Sequence, residues 1–168
     1  MAILRMAGTI DESIVDGKGI RYVVFVQGCP HKCDGCHNPQ THDFSAGFDL
    51  DTDEILNRIK KDKLLSGVTF SGGEPFCQAT ELAELGEKIK EIGLNITTYS
   101  GYTFEQLLEM STKNPGIKRL LNVCDILIDG KFIIEEKNLM LKFRGSNNQR
   151  ILDLKKSLEA QKAVEIEL

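Results

Sequence analysis

Cys29, Cys33 and Cys36 fall within eight consecutive positions of a 168-residue chain that has five cysteines in all. Thiolates are soft ligands suited to zinc or to iron–sulfur clusters, and a C-x3-C-x2-C run lets one short loop supply three of them at little closure entropy. Three ligands, with no fourth at ferredoxin spacing, would hold three irons of a [4Fe-4S] cluster and leave the last iron open for chemistry. The same thiols with an imidazole from His31, His37 or His42 would make a structural zinc site. The spacing by itself leaves both readings open, together with that of unligated thiols. Cys77 and Cys124 stand alone and read as small buried hydrophobes, Cys77 close to the site. An odd cysteine total without an export signal argues against a disulfide framework.

A second group, Ser71-Gly72-Gly73-Glu74, follows a short apolar run. Paired glycines let a ligand approach the main chain with no Cβ in the way, and a carboxylate at Glu74 accepts hydrogen bonds from an ammonium group. An ordinary tight turn would use the same residues, with Glu74 on the surface. Pro75 suits the first turn of a helix.

These groups need elements to position them. Arg21 to Gly28 is rich in β-branched and aromatic residues and predicts a buried strand, with Phe25 in the core. The following segment contains Pro30, Gly35 and Pro39, and predicts a loop over 29–42. A helix is expected from about Asp51, with Glu54 as capping partner and Ile55, Leu56 and Ile59 as its apolar stripe. Val68-Thr-Phe70 predicts a strand with Phe70 in the core. The next helix carries Leu82, Leu85, Ile89 and Ile92 and stops at Gly93. Strands are expected over 94–98, 125–129 and 150–154, and a helix over 103–110. Strands separated by helices imply βαβ units, so the expected fold is α/β, a compact partial (β/α) barrel with a mostly parallel sheet. A complete eight-unit barrel takes about 250 residues. The whole of 1–168 reads as one domain.

In such folds ligands bind at the carboxyl ends of strands. Cys29, Ser71 to Glu74, Tyr99 to Tyr102, and Asp129 with Lys131 all follow expected strands, so one rim should collect them. Asp129 and Lys131 are two apart and would share a face on extended backbone. A turn at Asp129-Gly130 would instead leave Lys131 solvated.

The balance of 21 Lys and Arg against 25 Asp and Glu, net charge −4, gives no electrostatic case for nucleic acid or an anionic membrane surface. No apolar run approaches the roughly 20 residues that cross a bilayer, and no secretory h-region is visible, so the expectation is a cytoplasmic protein.

Five ordered blocks, GCPHKCDGCHNPQT from Gly28, FSGGEPF from Phe70, TYSGYTFEQLL from Thr98, DILIDGKF from Asp125 and KFRGSNNQRILD from Lys142, resemble the radical S-adenosylmethionine superfamily. Within it, the chain is similar to the activating proteins of anaerobic ribonucleoside-triphosphate reductases. The resemblance implies that Cys29, Cys33 and Cys36 ligate a [4Fe-4S] cluster whose open iron is chelated by S-adenosylmethionine. It places Gly72 and Gly73 along the methionine part, Glu74 near its amino group, and Gly35 and His37 near the adenine. The wider superfamily has an aromatic residue where Gly35 stands. Ser100 and Asn147 are candidates for the methionine or ribose, Asp129 and Lys131 for a charged pair at a strand end with Lys131 on the ligand carboxylate, and Arg144 and Arg150 for ligand or partner.

The implied reaction is reductive cleavage of S-adenosylmethionine to a 5'-deoxyadenosyl radical, which removes a glycine α-hydrogen from a protein, with no side chain acting as general base. The implied partners are the large glycyl-radical subunit of an anaerobic ribonucleoside-triphosphate reductase and a low-potential electron donor such as reduced flavodoxin. Activation of another glycyl-radical enzyme is the near alternative. A non-enzymatic zinc-binding module and an electron-transfer iron–sulfur protein are the readings from other classes.

Overall fold

A computed structural model describes residues 2–168. One sheet of seven strands runs through it: β1 (Ile3–Ser13), β2 (Arg21–Val26), β3 (Phe48–Asp51), β4 (Gly67–Gly72), β5 (Asn95–Tyr99), β6 (Ile126–Asp129) and β7 (Arg150–Asp153), in the order β3-β1-β2-β4-β5-β6-β7. The pairs β2·β4, β4·β5 and β5·β6 are parallel, whereas β1·β2, β1·β3 and β6·β7 are antiparallel. The sheet is therefore open and partly parallel, and the expectation of a mostly parallel one is corrected. A parallel centre is flanked by antiparallel edges, because the connections into β2 and out of β6 hold no crossover α-helix.

β1 and β3 were not foreseen. β1 alternates, with Leu4 and Met6 buried and Ile3 and Arg5 less so, as a strand with one covered face must. Helices α1 (Thr52–Lys61), α2 (Ala79–Glu91) and α3 (Phe104–Ser111) match the expected segments. The capping at α1 differs in detail. Asp51 accepts from the Asp53 amide, while Glu54 pairs along the helix with Arg58. Ile92 lies beyond α2 and is exposed, so it does not belong to the stripe.

Helices α4 (Pro115–Val123) and α5 (Leu154–Ala160) were missed. Asn114-Pro115 looks like a turn, yet here Asn114 caps α4 by accepting from the Gly116 and Ile117 amides, and Pro115 occupies the first turn, where no donor is needed.

Strand parity divides the molecule. Tyr22, Val24 and Val26 of β2, Val68 and Phe70 of β4, Ile96 of β5 and Leu127 of β6 join residues of all five helices in one core. Residues of the opposite parity, among them Phe25, Ser71 and Tyr99, project from the other face. That face is covered by no helix of this core. The β1–β2 turn and the long connection from β6 to β7 border it, and a cavity lies between them. Among the described residues, no helix is long and apolar enough to cross a membrane.

Candidate functional site

The cysteine loop leaves β2 at Gly28. Its base is closed by the amides of Gly28 and Cys29, which donate to the carbonyls of Thr41 and His42 at 2.7 and 3.2 Å. Cys29 is buried, and Cys33 and Cys36 are half-buried. Burial pushes the Cys29 and Cys33 thiols up, partly offset at Cys29 by backbone donors from His31 and Lys32. Among the described residues, no three His, Cys, Asp or Glu side chains gather into a group able to hold a metal ion. The donor chemistry nevertheless fits a cluster: three soft thiol groups share one loop pinned at both ends, and Cys36 opens onto the cavity.

The cavity, about 820 Å³, is lined by Cys36, His37, Ser71, Gly72, Phe25 and Tyr99 on one side and by the β6–β7 connection on the other. Its size falls within the range of sites for small molecules. Phe25 is thus half-buried at the cavity, not a core residue, whereas Phe70 is core as expected. Tyr99, which had drawn no role of its own, donates its phenol to the Phe143 carbonyl at 2.5 Å and so ties β5 to the β6–β7 connection. Arg144 also lines the cavity. Its Nη1 donates to the Gln149 carbonyl at 2.7 Å, while its Nε is buried without a partner. A buried guanidinium N–H left without a partner, on a residue that lines a cavity, is a candidate binding group.

Gly72 and Gly73 turn out to be required by the protein's own packing. A Cβ on Gly72, whose φ is +105°, would sit 2.5 Å from the backbone N and O of Val26, and one on Gly73 would sit 2.2 Å from the Gly28 carbonyl oxygen. The pair knits the end of β4 to the start of the cysteine loop; only Gly72 lines the cavity. Replacing Gly72 with Ala is expected to cost about 2 kcal/mol or more through strain and overpacking, read as a lower urea midpoint.

Glu74 is 0% exposed and is not a cavity residue. Its carboxylate accepts from Phe76 N (3.0 Å), Gly101 N (2.8 Å), Ser100 Oγ (2.9 Å) and His31 Nε2 (2.7 Å). Glu74 and Ser100, expected near the amino group and on the methionine or ribose part of a ligand, bond each other in this structure.

Asp129 is likewise buried. It accepts from Arg150 Nε and Nη2 at 3.1 and 2.5 Å and from the Phe104 amide at 2.7 Å, which caps α3. Gly130, at φ +96°, then turns the chain, and Lys131 is exposed. The two do not share a site face, because β6 ends at Asp129.

Asn147 is exposed and does not itself line the cavity, but it accepts a hydrogen bond from Asn138, which does. Gly35 is exposed at φ +73°, and a Cβ there would meet Ile134 at 2.7 Å and Phe132 at 3.3 Å. His37 packs against Phe132, ring centroids 5.2 Å apart. Cys77 is exposed, contrary to the buried reading, although desolvation of its thiol and the nearby Glu74 and Cys29 push it up to about 11. Cys124 is buried as expected.

Sequence comparison gives this geometry a context. The family described as "4Fe-4S single cluster domain" matches residues 15–152. The anaerobic ribonucleoside-triphosphate reductase-activating protein of Haemophilus influenzae is 34% identical over 146 residues, covering 82% of this chain and 90% of that protein. The protein of the same name from Enterobacteria phage T4 is 35% identical, covering 82% and 86%. The pyruvate formate-lyase-activating enzyme of Listeria monocytogenes is 38% identical, covering 83% of this chain and 57% of that enzyme. The crystal structure of QueE from Escherichia coli matches with a TM-score of 0.50 at 16% identity, over 60% of this chain and 53% of that one, a likeness of fold alone.

Proposed function

The chain belongs to the 4Fe-4S single cluster domain family, among radical S-adenosylmethionine proteins related to glycyl-radical-activating enzymes, and from that premise we propose that it activates an anaerobic ribonucleoside-triphosphate reductase. The observation that carries the reading is the cysteine loop at the carboxyl end of β2, opening through Cys36 onto a cavity walled by the ends of β4 and β5. Cys29, Cys33 and Cys36 would hold a [4Fe-4S] cluster. When bound, cluster and S-adenosylmethionine together supply a 5'-deoxyadenosyl radical that takes a hydrogen atom from a glycine of the partner protein.

The chain's own residues bind, orient and exclude water. Phe25, Tyr99 and Phe132 offer aromatic walls, Ser71 and Gly72 a polar floor, and His37 a donor beside Cys36. Arg144 lines the cavity, and its unpartnered Nε–H is the group we assign to an anionic part of the ligand. A charge-assisted hydrogen bond of this kind contributes about 1.5–3 kcal/mol, so Arg144→Ala should raise the KM for S-adenosylmethionine about tenfold or more. Cluster absorbance should stay unchanged, and an unaltered KM removes Arg144 from the site.

The reading places the protein in the cytoplasm, with a low-potential donor such as reduced flavodoxin, and makes the reductase's large subunit the substrate. Activation of a pyruvate formate-lyase is the second reading, favoured by the Listeria similarity. Anaerobic reconstitution, reduction with dithionite and assay for 5'-deoxyadenosine test the chemistry, with and without each partner. Formation of 5'-deoxyadenosine together with a glycyl spin signal on the reductase subunit is the expected result. A signal only on the lyase selects the second reading. No product from a verified cluster-bearing sample rejects both in favour of a metal-binding module.

A further inference from the structure

The buried carboxylate of Glu74 has every oxygen engaged within the protein, and one of its four donors comes from the cysteine loop. Phe76 and Gly101 donate backbone N–H groups from the turn after β4 and the turn after β5, Ser100 donates its hydroxyl, and His31 reaches in from between Cys29 and Cys33. Between Pro30 and Cys36, the side chain of His31 supplies the hydrogen bond to the ends of β4 and β5, while the Cys33 thiol meets the Phe132 main chain of the β6–β7 connection.

The imidazole is enclosed on its other sides. Its side chain is 5% exposed, and it meets Tyr102 edge to face with ring centroids 4.5 Å apart. It also lies flat against Gly101, where a Cβ would come within 2.3 Å of His31 Cδ2. Gly101 is thus kept bare by the ring of His31. The main chain reinforces the junction: the Glu74 amide donates to the Gly28 carbonyl at 2.8 Å and the Gly73 amide to that of Val26 at 2.9 Å.

From this enclosure we infer that Glu74 and His31 form a latch, and that both are positioning residues that hold the first turn of the cysteine loop against the ends of β4 and β5. The inference rests on the reading of that loop as cluster-bearing, but the latch itself exists without a cluster. Closing it removes conformational freedom from positions 30–36 before any metal arrives, so less ordering is left for ligation. Outer-shell groups that orient ligands act in the same way at other metal sites.

The test compares His31→Ala, His31→Gln and Gly101→Ala with the wild-type chain. Gln can return a donor to Glu74 from nearly the place of Nε2, whereas the methyl group at position 101 displaces the ring and leaves all donors and acceptors in the chain. The first readout is amide hydrogen exchange of the metal-free protein, resolved by peptide. His31→Ala and Gly101→Ala should speed exchange within 30–36 about tenfold and leave β4 and α2 unchanged, and His31→Gln should restore most of the protection. The second readout is the rate at which a chelator strips iron from the reconstituted protein, expected to rise about tenfold or more in the two Ala variants and to recover in Gln.

Exchange in 30–36 that matches wild type in both Ala variants overturns the latch. So does faster exchange spread evenly over β4 and α2, which assigns the two residues to general stability. If wild type takes up no cluster while the loop is freed in the Ala variants, the cluster reading fails and the latch stands.

Discussion

Cys33→Ala should abolish both the iron–sulfur absorbance of reconstituted protein and the formation of 5'-deoxyadenosine, by at least about 100-fold, beyond what loss of an outer-shell group costs. The argument is chemical. Three thiol groups are available to the loop and no fourth cysteine lies within it, so removing one leaves two, too few to retain a cluster with a single open iron. Cys29→Ala and Cys36→Ala should behave alike. Cys77→Ala is the control: the residue is exposed and lies outside the loop, and its loss should change product formation less than about twofold, as for surface substitutions generally. Iron analysis beside product assay separates the cases. Product from a Cys33 variant that holds no iron would end the ligand assignment.

The second large effect concerns stability. Asp129→Ala is expected to destabilise the fold by about 3 kcal/mol, toward the lower end of values for breaking a buried ion pair, since Arg150 is 28% exposed and keeps partial solvation. For a chain of this size that lowers Tm by about 6–12 °C. Two losses combine, because Asp129 both receives the Arg150 guanidinium and caps α3 at Phe104. Arg150 would retain Glu105, a pairing that also holds the Glu105 carboxyl below its usual range. Lys131→Ala, at an exposed position past the Gly130 turn, should leave Tm unchanged. Thermal unfolding followed by circular dichroism distinguishes this from a ligand-binding pair, in which both changes would weaken S-adenosylmethionine binding and neither would alter Tm.

The contrast between Asp129 and Lys131 shows where linear reading ends. Spacing by two places side chains on one face only while the strand continues, and a left-handed glycine between them ends it. Similarly, Glu74 has the chemistry to receive an ammonium group, but acceptor capacity says nothing of whether other donors already fill it. His31, Ser100 and Gly101 lie 43, 26 and 27 positions away in the chain, and only the parallel pairing of β4 with β2 on one side and with β5 on the other brings their elements together. Phe25 was legible as a strand residue and Tyr99 as one that follows a strand, but which sheet face lacked helices was not, since that depends on where all five helices pack.

What the sequence by itself determined was local: the thiol array and its soft-ligand chemistry, the strands β2, β4, β5 and β6 with polar residues at their ends, and the helices whose caps and apolar spacing lie within a few positions. The tertiary structure decided the rest. It set the antiparallel edges, the uncovered sheet face with its cavity, and the commitment of Glu74 and Asp129 to partners inside the protein. A buried carboxylate must have its hydrogen bonds satisfied, and the groups that satisfy it are chosen by three-dimensional proximity that residue spacing does not encode.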